Sequence, residues 1–182
     1  DIKGEDLKAY LIKCIRTICR DARSLYEYKK ALEMSNEFFK NNDLTNEYEI
    51  DFLCDQLEYF DLNDDLSHGV DLANCLIEKI GTDEKYTHFL SMVYYHKGHL
   101  LRKHSFEESA SLIRKSIEYS KKNNEISSAA VSLINLAISY AQHSYYNEAY
   151  NIYSEVDSLI QESIKAFWKK SIIKSKEYSA FL

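Results

Sequence analysis

Two histidines three residues apart, His96 and His99, are the residues of this sequence best suited to chemistry. At that spacing two imidazoles share one face of a helix. Together with a carboxylate from a facing helix, Asp55 or Glu58, they would form a set of ligands close to that of a zinc site. The spacing is not that of the H-E-x-x-H motif, and the chain contains no C-x-x-C pair. We therefore interpret the histidines as polar residues of a binding surface, and we expect neither a metal nor another cofactor.

Catalysis by a cysteine is the second chemistry to weigh, because Cys54 is expected near the same face as the histidines. The chain carries no local signature of a cysteine nucleophile and none of the glycine-rich phosphate-binding motifs. We interpret Cys54, like Cys14, Cys19 and Cys75, as a reduced and buried thiol. No acid–base pair is arranged for catalysis either, and we predict that the chain is not an enzyme.

Charged residues follow helical spacing in two stripes of opposite sign. Arg16 and Arg20 belong to a basic stripe. Asp51, Asp55 and Glu58 form an acidic stripe on a helix that also offers Asp61. One interpretation is a groove in which the arginines bind a ligand's carboxylate through charge-assisted hydrogen bonds. The other is pairing of the two stripes between neighbouring helices, where exposed ion pairs contribute about 0–1 kcal/mol each. The sequence leaves both interpretations open.

The composition disfavours two classes of partner. The formal charge of −6 is not that of a general nucleic-acid-binding protein, which usually has a basic surface. No apolar run reaches the length of a transmembrane helix and no signal peptide is recognisable, so we expect a cytoplasmic location without membrane contact. The chain does not begin with Met, and we expect it to be a fragment of a longer protein.

Helices are the elements that must position these residues. The 182 residues include no proline and only four glycines, which favours an all-α chain. Gly81 is placed as a helix C-cap with Thr82 as the next N-cap, and Ser105-x-x-Glu108 has the form of a capping box. Apolar periodicity and turn residues predict helices over residues 5–22, 25–40, 46–61, 65–80, 84–103, 106–122, 126–142, 146–161 and about 163–180.

The predicted helices repeat in pairs. Gly69, Ser109 and Ala149 are each 40 positions apart (109 − 69 and 149 − 109), and each follows a Leu or an aromatic residue by three positions. Residues three apart share a helix face, so the small residue allows a neighbouring helix to approach closely. The unit is therefore a helical hairpin, repeated over about 5–41, 46–80, 84–122 and 126–161, with a closing helix at about 163–180.

The clearest unit resembles the tetratricopeptide repeat. It follows the pattern large-x2-Leu-small-x2-Tyr and then aromatic-x2-Ala-x3-aromatic through Leu133, Leu136, Ala137, Tyr140, Tyr146, Ala149 and Tyr153. The period near 40 rather than about 34, and the missing proline, depart from that family. The resemblance implies one all-α domain over residues 1–182, an α-solenoid of about four TPR-like helix-turn-helix hairpins plus a C-terminal closing helix.

In tetratricopeptide repeats the first helix of each hairpin lines the concave, ligand-binding face. Projected onto this chain, that face is formed by Arg16, Arg20, Asp55, Glu58, Tyr95, His96, His99, Arg102, Asn135, Ile138 and Gln142. Asn135 is the sharpest candidate, because peptide-binding members of the family carry Asn at the corresponding place to hold the ligand backbone. The tyrosines Tyr146, Tyr150 and Tyr153 are expected to pack between helices.

Within this family the chain resembles most the sensor domains of cytoplasmic peptide-pheromone regulators of Gram-positive bacteria. That resemblance implies a quorum-sensing transcription regulator whose sensor binds a short peptide, while a separate N-terminal helix-turn-helix contacts DNA. The alternative is a protein–protein adaptor or assembly scaffold that grips a partner's helix or tail. We expect the C-terminal segment from Ile164 to Leu182 to cap the solenoid, with homodimerisation as its second possible use.

Overall fold

The computed structural model shows α-helices joined into hairpins. It describes residues 46–179, together with the isolated helical positions 29, 30, 33 and 37. The rest of the first predicted hairpin, which includes Arg16 and Arg20, lies outside the described residues. Across residues 46–179 the helices are α1 (Asn46–Leu62), α2 (Leu66–Ile80), α3 (Phe89–Leu101), α4 (Phe106–Lys122), α5 (Ile126–Gln142) and α6 (Tyr146–Ser179).

The all-α class and the hairpin arrangement are confirmed for this part of the chain. Three hairpins, α1–α2, α3–α4 and α5–α6, follow one another, and each helix packs against its neighbours in the chain. The first helices of the first two hairpins, α1 and α3, also pack directly against each other. This stacking of hairpins in chain order is consistent with an α-solenoid. None of the helices in the described part is long and apolar enough to cross a membrane.

The start of α3 was predicted five residues too early. Residues 84–88 form turns, and the backbone N–H groups of Asp83, Tyr86 and Phe89 each donate to the carbonyl three residues before, rather than four. Side chains compete for the same groups, since Asp83 accepts from the N–H of Lys85 at 3.0 Å. Thr82 is therefore not an N-cap, and the helix begins at Phe89.

The closing helix is not a separate element. One helix of 34 residues runs from Tyr146 to Ser179, through the boundary predicted near residue 162. The segment between Asp157 and Ser163 contains neither Gly nor Pro, so nothing in it stops the helix. At about 1.5 Å per residue, α6 is twice as long as the 17-residue α5 on which it packs. Its second half therefore extends past the end of α5.

Residues with a positive φ angle end several helices. Gly81 has φ 51° and donates its N–H to the Ile77 carbonyl, which confirms the predicted C-cap. Asp64, Asn124 and Ser144 occupy the turns after α1, α4 and α5 with φ of 54°, 60° and 65°. Ser105 is the N-cap of α4, but its side chain makes no capping hydrogen bond, so the predicted capping box does not form.

The small residues of the repeat lie where helices approach closely, as predicted. Gly69, Ser109 and Ala149 are all buried. A Cβ atom at Gly69 would overlap Leu100 Cδ1, so α2 and α3 approach closely there and a larger residue would require the Leu100 side chain to move. The Ser109 hydroxyl donates to the Gly98 carbonyl at 2.7 Å, which joins α4 to α3 within the second hairpin.

Two clusters of buried side chains form the core. The first joins α1, α2 and α3, and the second joins α4, α5 and α6. Burying one large aliphatic side chain contributes about 1.5–3 kcal/mol, so these clusters hold α1, α3 and α5 at defined positions. The residues buried most completely include Ile50, Leu57, Leu76, Ile80, Leu90 and Val93 in the first cluster, and Leu133 and Leu136 in the second.

Candidate ligand-binding site

A buried carboxylate joins α1 to α3 at the centre of the candidate site. Asp61, near the end of α1, is only 6% exposed. His96 Nδ1 lies 2.8 Å from Asp61 Oδ2, and His99 Nδ1 lies 2.7 Å from Oδ1. Since a carboxylate only accepts hydrogen bonds, both Nδ1 atoms carry the proton and donate. One aspartate thus holds both histidines.

The charge of Asp61 is favoured by its partners. Burial raises the pKa of Asp61, but the hydrogen bonds from His96 and His99 and their positive charge outweigh burial, so the pKa lies below its ordinary value. Arg102 Nη1 lies 3.9 Å from Asp61 Oδ1 and adds the charge of a guanidinium group to the cluster. We call Asp61, His96, His99 and Arg102 the Asp61 network.

Further ion pairs close the end of the same interface. Arg102 Nη2 lies 3.3 Å from Asp64, and Lys103 Nζ lies 2.6 Å from the same carboxylate. The basic and histidine face of α3 is therefore paired with the acidic end of α1. The pairing considered for the two charged stripes involves Arg16 and Arg20, which lie outside the described residues.

Tyr95 and Asn135 form the second part of the site and connect α3 to α5. Asn135 Nδ2 donates to the Tyr95 hydroxyl at 2.7 Å. The Tyr95 ring lies parallel to the His99 ring, with centroids 5.8 Å apart and planes inclined by 8°. Burial, then the negative charge of Asp61, raises the pKa of Tyr95, so the hydroxyl keeps its proton. Within residues 46–179, that proton and the Asn135 Oδ1 have no further hydrogen-bond partner.

A cavity of about 540 Å³ opens beside Tyr95. Its walls come from α3 and α5, and α4 contributes Ser116 and Ser120. The Ser91 hydroxyl oxygen lies 3.2 Å from Glu125 Oε2. The Ser116 and Ser132 hydroxyl oxygens lie 3.4 Å apart. The cavity is lined by Asp51, His88, Phe89, Ser91, Met92, Tyr95, Ser116, Ser120, Glu125, Ser127, Ser128, Val131 and Ser132.

Sequence reasoning found Tyr95 but missed the cavity and the central role of Asp61. A signal for the cavity was present, since Ser116 and Ser120 are four residues apart, as are Ser128 and Ser132. Serines in such positions were not distinguished from ordinary surface serines. The sequence offers Asp61 on the same helix as the acidic stripe, but the carboxylates expected to face the histidines are Asp55 and Glu58, and no local signal distinguishes Asp61 from them.

The other predicted site residues lie around these two features. Asp55 is buried at 3% exposed, and Glu58 is half-buried on α1, where its charge acts on Tyr95. Ile138 is 41% exposed and Gln142 is exposed at the end of α5, on the helix that carries Asn135. The structure therefore brings together Tyr95, His96, His99, Arg102 and Asn135, with Glu58 close by.

Two other predictions need correction. Tyr146, Tyr150 and Tyr153 do not pack between helices, since they are 67%, 72% and 43% exposed on one face of α6. Cys54 is buried as predicted, but Cys75 is exposed. The three tyrosines and Cys75 each lie on a helix face that no described element covers.

Comparisons with known proteins give no family. No family model matches the chain, and neither the curated proteins nor the solved structures contain a significant match. Among the described residues, no group of three or more His, Cys, Asp or Glu side chains is arranged to hold a metal ion. The site therefore has to be interpreted from its own geometry.

Proposed function

We propose that this chain is a non-catalytic module that binds a short peptide across α3 and α5. The Tyr95–Asn135 pair carries the proposal, because it presents a hydroxyl donor and an amide acceptor side by side. A peptide unit offers the complementary carbonyl and N–H groups. The pair lies next to an open cavity, and exposed apolar residues of α5, Val131, Ile134 and Ile138, follow the same helix.

The Asp61 network serves this function by holding Tyr95 in place. His99 is hydrogen-bonded to Asp61 and stacks on the Tyr95 ring, so the ring cannot turn without breaking that arrangement. A binding group that is already ordered costs less conformational entropy when the ligand arrives. The predicted site residues His96, His99 and Arg102 then support the site from behind, and Tyr95 and Asn135 contact the ligand.

As a sensor, the module would report peptide binding by a change of shape. A peptide that contacts α3 and α5 together favours the spacing of the two hairpins in which both contacts form. We propose that this is the ligand-sensing part of a cytoplasmic transcription regulator that responds to a peptide signal in quorum sensing. The support is the position of Asn135 on the first helix of a hairpin, facing a tyrosine of the preceding hairpin.

Calorimetric titration with a pool of random heptapeptides tests the proposal. Tyr95→Phe removes only the hydroxyl, and Asn135→Ala removes the amide. Loss of a hydrogen bond that leaves a buried partner unsatisfied costs about 1–3 kcal/mol, so each variant should bind roughly 5- to 150-fold more weakly. Asn151→Ala, at an exposed position of α6, is the matched control and should bind like wild type. Wild-type affinity in both site variants would contradict the proposal.

A second candidate function is assembly through α6. Its exposed residues Tyr146, Tyr150, Tyr153, Ile160 and Ile164 are separated by 4, 3, 7 and 4 positions, which is the spacing of a coiled-coil seam. The half of α6 past α5 has no helix partner within residues 46–179. We infer that a second copy of this chain covers this face, which is the homodimer expected from the sequence.

Charge favours an antiparallel pairing of the two copies. Residues 146–162 contain four acidic residues and no basic one, a charge of −4. Residues 163–179 contain five lysines and one glutamate, a charge of +4 (5 − 1). Glu155 is already paired with Arg114 and Lys121, which leaves three acids for the partner. Antiparallel copies would place the acidic half of each helix against the basic half of the other.

A further inference from the structure

The cavity beside Tyr95 has a chemical character that the proposed peptide function does not by itself require. Among the described residues its lining contains two carboxylates, one histidine and six serines, and neither Lys nor Arg. Phe89, Met92 and Val131 supply the apolar part. A volume of about 540 Å³ lies within the usual range of small-ligand pockets, about 300–1,000 Å³. Such a lining disfavours an anion and suits a positively charged group attached to carbon.

Glu125 is the group that distinguishes this cavity. It is the N-cap residue of α5, yet its side chain makes no capping hydrogen bond. Instead its Oε2 lies 3.2 Å from the Ser91 hydroxyl on α3, whose one proton is shared with the His88 carbonyl oxygen at 3.1 Å. In the described part of the chain no Lys or Arg side chain pairs with it. A half-buried carboxylate held by a single neutral donor is best satisfied by a cation.

Ser120 supplies a second and independent observation. It lines the cavity, its residue is 0% exposed, and its Oγ has no hydrogen-bond partner in the part of the chain that the structure describes. Buried hydroxyls are almost always partnered, so an unsatisfied one beside a cavity indicates a missing polar partner. Ser116 and Ser132, also buried, share only a long contact of 3.4 Å. Hydroxyl oxygens accept hydrogen bonds, and the cavity therefore offers several acceptors around one carboxylate.

We propose that this cavity binds the protonated primary amine of the peptide ligand, with Glu125 as the residue that recognises its charge. A primary ammonium carries three donors and no acceptor, which matches a carboxylate surrounded by hydroxyls. Tyr95 borders the cavity and also belongs to the Tyr95–Asn135 pair, so a peptide held by that pair reaches the cavity. This inference rests on the proposed function, and it specifies which chemical group of the peptide is selected.

Two sources can supply the amine, the peptide's own amino terminus or a lysine side chain. Three matched heptapeptide pools separate them: one with free amino termini and no lysine, one N-acetylated with one lysine, and one N-acetylated without lysine. Each pool is titrated calorimetrically against the whole chain. We expect the third pool to bind at least tenfold more weakly than one of the other two, and the stronger pool identifies the source.

The variant Glu125→Gln removes the charge and keeps the shape. It should bind all three pools equally weakly, because a peptide with a primary amine then finds no carboxylate at residue 125 and binds no better than one without. Ser91→Ala keeps the charge but removes the hydroxyl that orients Glu125, and a smaller loss is expected. Glu107→Gln, an exposed glutamate in the first turn of α4, is the matched control and should keep the wild-type preference. Circular dichroism establishes that each variant is folded.

The outcomes distinguish the two proposals. If all three pools bind wild type equally, or if Glu125→Gln keeps the preference, the amine site is overturned and peptide binding stands. If none of the pools binds wild type, peptide binding fails and the amine site fails with it.

Discussion

Asp61 shows at the scale of a single residue how a buried charge can be stabilised. It is almost inaccessible to water, yet two histidines and an arginine of α3 surround it. An unpaired carboxylate in that position would be strongly disfavoured. In the structure both histidines donate from Nδ1 to this one carboxylate, so each imidazole has a fixed tautomer and orientation.

Replacing Asp61 by Asn should destabilise the fold. The amide has about the same shape, but its single oxygen cannot accept from both histidines, which leaves one buried donor unsatisfied. That costs about 1–3 kcal/mol, measured as the free energy of unfolding in urea. Asp71→Asn, at an exposed position of α2, is the control and should change stability little. Equal stability of Asp61→Asn and wild type would show that the network contributes nothing.

The same aspartate should make stability depend on pH in the acid range. The pKa of Asp61 is lowered in the folded state, so the folded protein holds the carboxylate charged where the unfolded chain takes up a proton. Its contribution is present above the ordinary pKa of 3.8 and is lost as the pH falls below that value. The difference in unfolding free energy between wild type and Asp61→Asn should therefore be constant well above pH 3.8 and should shrink as the pH falls below that value. A difference that stays constant below that value as well would contradict this.

At the scale of the helices, contact between α3 and α4 depends on Gly98. A Cβ atom there would lie 2.9 Å from Ile113 Cγ1 and 3.1 Å from the Ser109 carbonyl oxygen. The Ser109 carbonyl belongs to the backbone and cannot move aside easily. Gly98 on α3 and Ser109 on α4 are therefore both needed for the close approach of these two helices.

Gly98→Ala should destabilise the chain although alanine favours helices. Alanine gains about 1 kcal/mol of helix propensity over glycine. Overpacking costs about 1–3 kcal/mol, and crowding against the backbone places the cost at this site near the upper end of that range. We expect a net loss of up to about 2 kcal/mol, measured by thermal and urea unfolding. Ser111→Ala, on the exposed face of α4, gains propensity without crowding and should be neutral or slightly stabilising. A more stable Gly98→Ala would refute the close-contact interpretation.

At the scale of the whole molecule, α6 carries the surface on which the homodimer proposal depends. Half of this helix extends past α5, and its exposed aromatic and aliphatic residues follow a coiled-coil spacing. Contiguous exposed apolar residues of this kind usually mark an interaction surface. The homodimer proposal and the adaptor alternative both use this surface, and they differ in the partner that covers it.

Analytical ultracentrifugation of the double variant Tyr146→Ser/Tyr150→Ser tests the homodimer. Wild type should sediment as a dimer whose dissociation constant rises with salt, because the opposed halves of α6 attract by charge. The variant should be monomeric at the same concentration. Ser154→Ala in the same helix, exposed but outside the seam, should remain dimeric. A monomeric wild type would exclude self-association and leave the surface to a different partner.

Most of the helices could be predicted because their signals are local. Absence of proline, apolar spacing and turn residues such as Asn123-Asn124 act within a few residues, and they placed α1, α2, α4 and α5 to within one residue. The 40-residue recurrence of small residues predicted the hairpins for the same reason. Where local signals were weak or in conflict, at Thr82 and between Asp157 and Ser163, the boundaries were wrong.

The chemistry of the site was decided by tertiary structure. Residue types alone could mark His96, His99, Tyr95 and Asn135 as candidates, since their spacing on one face is a local property. That Asp61 meets the histidines across 35 and 38 positions depends on how α1 packs on α3. The cavity at Glu125 likewise exists only because α3, α4 and α5 leave a space between them. Contacts between distant residues, and the spaces that packing leaves open, arise from the joint packing of several helices, and no single stretch of sequence specifies them.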